Sequence, residues 1–97
     1  MRVKLHPEAR IDLREGKAFY LRRSPLAAVA FAHEIETGIS RIAEAPRRYA
    51  EGEFGTHEFV LPWRFPYTIV YQIKQDLIVI VAIAHQSKEP AYWSHRT

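Results

Sequence analysis

The chain has 97 residues, is 47% hydrophobic and 26% charged, and contains no cysteine. That composition fits a single folded domain and excludes a disordered or collagen-like chain, disulfides, zinc thiolate sites and cysteine nucleophiles. The formal charge is +3, and ten of the fourteen basic residues are Arg, which suits bidentate contact with phosphate or carboxylate. The longest uncharged apolar run, Leu77 to Ala84, is eight residues, against about 20 for a membrane span. Charge at Arg2, Lys4, Glu8 and Arg10 interrupts the apolar core a secretion signal needs, so a cytoplasmic location is expected. One domain over residues 1–97 is expected, with no room for separate cofactor and substrate domains. Residues 1–51 carry ten basic and seven acidic side chains, whereas residues 52–97 carry four of each. This mild asymmetry fits an acidic partner or nucleic acid, and equally a solvated surface.

Val3-Lys4-Leu5 alternates as a short strand. His6-Pro7-Glu8 reads as a helix start, with proline in the first turn and an acid at the positive end of the dipole. Ala9, Leu13, Gly16 and Tyr20 then form one helical stripe, while Arg10, Asp12, Arg14, Glu15 and Lys17 mostly face away from it. Gly16 on that stripe implies close approach of another helix. Ser24 reads as an N-cap and Pro25 as the first helical residue of a second helix. Ala28, Phe31, Ile35, Ile39 and Ile42 line its apolar face, and Pro46 ends it by Ala45. The two helices read as an antiparallel hairpin.

Residues 46–56 are loop-like. Glu58 to Leu61 is a short candidate strand, stopped by Pro62. Tyr67, Ile69, Tyr71 and Ile73 alternate with period two, Lys74-Gln75-Asp76 makes a turn, and Leu77 to Ala84 is apolar on both faces. The last run is expected to be an interior strand covered on both sides. The fold class is α+β: an N-terminal strand and an antiparallel helical hairpin packed on a small antiparallel sheet.

Arg64-Phe65-Pro66-Tyr67-Thr68-Ile69-Val70-Tyr71, together with Ala82-Ile83-Ala84-His85 and the tail Lys88-Glu89-Pro90-Ala91-Tyr92-Trp93-Ser94-His95-Arg96, resembles the RelE/ParE superfamily. These are the toxins of type II toxin–antitoxin modules. The resemblance runs back through Phe31, Ile35 and Pro46 to Pro7-Glu8-Ala9 and covers almost the whole chain. It implies a growth-inhibiting toxin neutralised by a cognate antitoxin, with no cofactor. The ParE-like branch implies inhibition of DNA gyrase and no enzyme activity. The RelE-like branch implies ribosome-dependent, metal-independent cleavage of mRNA. The chain resembles the ParE side more closely. Thr68 stands where RelE carries a strand arginine, and residues 50–63 contain no Lys or Arg to match the lysines ahead of that strand.

Each candidate residue has two readings. If the chain is a ribonuclease, the resemblance places Lys88 and Tyr92 near a RelE tail arginine and tyrosine, with Arg96 and Arg64 as further cations and His85, of a residue type that titrates near neutral pH, as a base; otherwise His85 caps the end of its strand. Tyr92 and Trp93 stack on RNA bases or on a target, or they pin the tail to the core, with pinning favoured for at least one. Arg64 meets phosphate, gyrase or an antitoxin carboxylate, or it pairs with Glu58 or a helix acid. Leu26, Val29 and Ala30 are expected on outer helix faces, as a groove for the antitoxin. The pairs Arg22-Arg23 and Arg47-Arg48 are a nucleic-acid surface or simply solvated. His6, His33, His57, His85 and His95 have no metal-site spacing, so no metal is expected.

Overall fold

In the computed structural model, which describes residues 1–97, strand β1 (Arg2–Leu5) leads directly into helix α1 (Pro7–Leu21). The first free amides of α1 are satisfied locally, because His6 Nδ1 accepts from the Glu8 amide at 3.0 Å. Helix α2 (Pro25–Glu44) begins in the same way, with Ser24 Oγ accepting from the Ala27 amide at 3.0 Å. It ends at Glu44, as Pro46 requires. The expected apolar stripes face each other. A Cβ on Gly16 would lie 2.8 Å from the fully buried Phe31 ring, so only glycine permits this helix spacing.

After α2 come β2 (Ala50–Glu51), a single 3-10 turn over Glu53–Gly55, β3 (His57–Val60), β4 (Tyr67–Lys74) and β5 (Leu77–His85). Residues 46–56 are thus not wholly loop: β2 pairs with β3 through Ala50 with Glu58 and Glu51 with His57. The sheet order is β1-β5-β4-β3-β2. It is mixed rather than antiparallel throughout, because β1 runs parallel to β5. Parallel neighbours need a long crossover, and the helical pair with the three following strands supplies it.

One irregularity decides how β5 is used. Val70 pairs with Ala82 and Tyr71 with Ile80, so Val81 has no partner and forms a bulge. The bulge shifts the alternation by one residue. Ile78, Ile80 and Ile83 consequently share the helix-facing core with Tyr67, Ile69 and Tyr71. Val81, Ala82 and Ala84 join Val70 in a second cluster on the opposite face. Trp93 closes that cluster from the tail and is 6% exposed. Ala91 adopts a left-handed backbone, φ 55°, where the tail turns back on the sheet. The run Leu77 to Ala84 is therefore covered on both faces, as its composition implies. No helix is long and apolar enough to cross a membrane.

Candidate functional site

The tail residues converge on a side chain that helical periodicity had turned outward. Asp12 lies on the flank of α1 facing β5. Arg96 donates from Nη1 to Asp12 Oδ2 at 2.7 Å and from Nη2 to Oδ1 at 3.3 Å, while the Tyr92 hydroxyl donates to Oδ2 at 3.2 Å. The Ile83 amide donates to the same oxygen at 3.1 Å, and the Val81 carbonyl accepts from Arg96 Nη1 at 3.1 Å. The reason lies in the sheet. Strand β1 pairs with β5 only as far as Ile80, so the edge of β5 beyond it has free backbone groups. Asp12 and Arg96 take the place of the missing strand.

Both charges are nearly enclosed, with side-chain exposures of 10% for Asp12 and 7% for Arg96. Burial opposes the charge on Arg96, but the bonds and charge of Asp12 outweigh it and raise its pKa above the ordinary Arg value. Tyr92 is pushed well above the ordinary phenol value, first by burial and then by the Asp12 carboxylate. Its hydroxyl is a fixed donor, unsuited to proton transfer at neutral pH. Glu8 adds an exposed contact to His95 Nε2 at 3.1 Å, a pair worth little.

His85 ends β5. Its Nδ1 accepts from the Ser87 amide at 3.0 Å and lies 2.7 Å from Ser87 Oγ, so the ring caps the strand end. Lys88 is exposed, with Nζ 5.4 Å from the Tyr92 ring centre. His85 and Lys88 meet Phe19, Arg22, Tyr67 and Tyr92 around an open cleft of about 490 Å³ beside Gly16, with Asp12 and Glu15 on its wall. On the opposite sheet face, a smaller cleft of about 220 Å³ brings Lys88 together with Thr68, Glu53, Glu58 and Glu89. Cutting an RNA backbone without a metal requires a base and an acid on opposite sides of a phosphate, with cations to hold the developing charge. Here two of the four tail candidates, Tyr92 and Arg96, are consumed by Asp12. Of the other two, His85 caps its strand, and Lys88 shares its cleft with three carboxylates.

The remaining candidates spread out. Trp93 is buried and pins the tail, with Phe54 edge-on at 6.1 Å. Arg64 is exposed in the turn between β3 and β4; it has no ion pair with Glu58 or a helix acid, and its guanidinium lies 4.9 Å over the Phe65 ring. Leu26 and Val29 are 81% and 67% exposed on α2, as expected of an outer face. Ala30 is not an outer-face residue: it is half-buried and packs against the main core, on the flank of α2 rather than its crest. Arg22-Arg23 and Arg47-Arg48 lie beyond opposite ends of α2, a 20-residue helix, and therefore about 30 Å apart. They do not form one surface.

Two functional candidates escaped the sequence reading. Asp12 carried no signal, since nothing local marks which flank of a helix meets a strand edge. Trp63 did carry one, being an aromatic residue outside any alternation and set between Pro62 and Pro66. It is 92% exposed, the most exposed large apolar side chain of the chain.

This architecture has relatives. Residues 3–90 match the family model described as "ParE toxin of type II toxin-antitoxin system, parDE". The chain belongs to the ParE toxin family. It is the toxin component of a type II toxin–antitoxin system, and its RelE/ParE resemblance is thereby resolved to the ParE side. A solved chain from the chromosomal ParDE TA system from P. aeruginosa superposes on this toxin with a TM-score of 0.76. The two are 20% identical, and the alignment covers 88% of this chain and 95% of that one. At that identity the likeness bears on the fold, and it confirms the α+β arrangement of strand, helical pair and sheet. No curated protein matches the toxin in sequence.

Proposed function

We propose that this ParE-family toxin arrests replication by poisoning DNA gyrase, and that a cognate antitoxin neutralises it by binding the toxin directly. The observation that carries the choice of target is the capture of Tyr92 and Arg96 by Asp12. It withdraws from the tail the groups that RNA cleavage would need, within a chain of the ParE family. The carboxylates Glu53 and Glu58 near Lys88 support the same reading, since they repel a phosphate backbone. The antitoxin binds across the helical hairpin, where Leu26 and Val29 offer exposed apolar contacts in helix-in-groove fashion. The toxin acts in the cytoplasm, where gyrase and its DNA are found.

The test is pulse labelling after tightly controlled induction in bacteria, with thymidine and methionine incorporation followed over the first minutes. Thymidine incorporation is expected to fall first, and purified toxin is expected to trap gyrase with cleaved DNA in a supercoiling assay. Tyr92→Phe is expected to keep growth inhibition intact. Prior loss of methionine incorporation, abolished by Tyr92→Phe, would establish the ribonuclease reading instead.

A further inference from the structure

One end of the molecule is apolar and basic at its turns; the acids beside it are Glu15, in the cleft that Arg22 lines, and Glu34, in a cleft with Leu61 and Pro62. The turn between α1 and α2 and the turn between β3 and β4 meet there, joined by Tyr20 edge-on to Phe65 at 5.1 Å and Phe31 against Phe65 at 5.6 Å. Residues 19–25 and 61–67, which form these turns and their flanks, contain no Asp or Glu. They contain Arg22, Arg23 and Arg64, none of which takes part in an ion pair. Between these arginines the chain exposes Leu21, 58% accessible, and Trp63, 92% accessible.

The Trp63 turn is held firmly. Its neighbours Leu61 and Phe65 are each 3% exposed and act as anchors on either side. The Phe65 amide donates to the Pro62 carbonyl at 3.0 Å, the Tyr67 amide to the Phe65 carbonyl at 2.7 Å, and the Leu61 amide to the Tyr67 carbonyl at 3.0 Å. The arginines are ordered too. Arg23 lies 4.6 Å over the Phe19 ring and Arg64 lies 4.9 Å over Phe65, which leaves their N–H forks free. An exposed indole on a braced turn, flanked by stacked arginines, has the make-up of an interface hot spot whose backbone ordering cost is already met.

We infer that this end, with Trp63 at its centre and Leu21, Arg22, Arg23 and Arg64 around it, is the surface by which the toxin docks on its target. The inference rests on the reading of this chain as a toxin with a protein target. The occupant is an acidic protein surface with an apolar pocket that takes the indole. Charge complementarity selects the acid, since uncompensated arginines here repel any basic surface. Leu21 beside the indole favours a protein over a nucleic acid: a base can stack on Trp63, whereas an apolar pocket buries both side chains. The antitoxin contacts proposed at Leu26 and Val29 begin in the first turn of α2, next to this surface, so the toxin meets its antitoxin and its target through neighbouring but distinct side chains.

The test compares wild-type toxin with Trp63→Ala, Arg64→Glu and Leu26→Asp, using affinity for purified gyrase, affinity for the purified antitoxin, affinity for a duplex DNA fragment alone, and growth arrest on induction. Trp63→Ala and Arg64→Glu are expected to weaken gyrase binding about 30-fold each and to relieve growth arrest, with antitoxin affinity unchanged. Leu26→Asp is expected to do the reverse. All three positions are exposed, so folding is preserved and is checked by thermal melting. Gyrase binding and arrest at wild-type levels in Trp63→Ala would overturn the inference. So would an equal loss of antitoxin affinity, which assigns the surface to the antitoxin. Wild-type binding to DNA alone that both variants abolish would also overturn it, in favour of a nucleic-acid site. If wild-type toxin arrests growth without binding gyrase, the gyrase reading fails on its own. The docking surface then stands or falls on whether Trp63→Ala and Arg64→Glu relieve that arrest.

Discussion

Replacing Asp12 with alanine removes one carboxylate and strands three donors. Arg96 loses both bonds of its fork, and the Tyr92 hydroxyl and the Ile83 amide lose their acceptor. Breaking a buried ion pair from one side costs about 3–5 kcal/mol. Arg96 keeps its bond to the Val81 carbonyl and lies 3.9 Å from Glu8, which holds the expected loss to the lower part of that range. In a domain of this size, a loss of about 3 kcal/mol lowers the melting temperature by roughly 12–24 °C. Arg96→Met also leaves a buried charge unpaired, but should cost less than Asp12→Ala, about 2–3 kcal/mol, because Asp12 then still accepts from Tyr92 and Ile83. The double variant should lose less than the sum of the two, by about 1–3 kcal/mol. Urea unfolding followed by fluorescence measures all three, with the buried Trp93 as reporter. An Asp12→Ala value within about 0.5 kcal/mol of wild type, as for a surface substitution, would mean that Asp12 is no enclosed anchor for the tail. Arg96→Met as the more costly change would count equally against that role.

Other expectations follow from the same geometry. Gly16→Ala gains about 1 kcal/mol of helix propensity but drives a Cβ into the Phe31 ring, at an overpacking cost of about 1–3 kcal/mol, so urea unfolding should show a net loss. Tyr71 is buried, its hydroxyl bonded to the Pro46 carbonyl, and burial pushes its pKa up to about 12. The unfolded chain therefore releases this proton first, near its ordinary value of about 10. Tyr71 should then lower stability as pH rises from about 10 to 12, by up to about 1.4 kcal/mol per pH unit; the raised Tyr20, Tyr67 and Tyr92 act in the same direction, so Tyr71→Phe should lessen the decline in urea titrations at fixed pH. Ala91 adopts a left-handed backbone at φ 55°, which costs a non-glycine residue about 1–2 kcal/mol. Ala91→Gly should thus leave the melting temperature unchanged or raise it, and a clear drop would refute that account of the tail.

The local devices of this toxin are legible in its sequence because each acts over a turn or two of chain. Ser24 before Pro25 starts α2, Pro46 ends it, the period-two run from Tyr67 to Ile73 makes a strand, and the doubly apolar Leu77 to Ala84 needs cover on both faces. Gly16 on an apolar stripe marks a close helix contact, which Phe31 supplies. What only the tertiary structure decides depends on partners far apart in the chain. Asp12 looks like any outward charge until Arg96 and the bare edge of β5 meet it across more than 80 residues. Parallel pairing of β1 with β5, the bulge at Val81 and the burial of Trp93 arise in the same way. Each satisfies backbone groups or apolar surface that exist only once the sheet has formed, so no local pattern announces them.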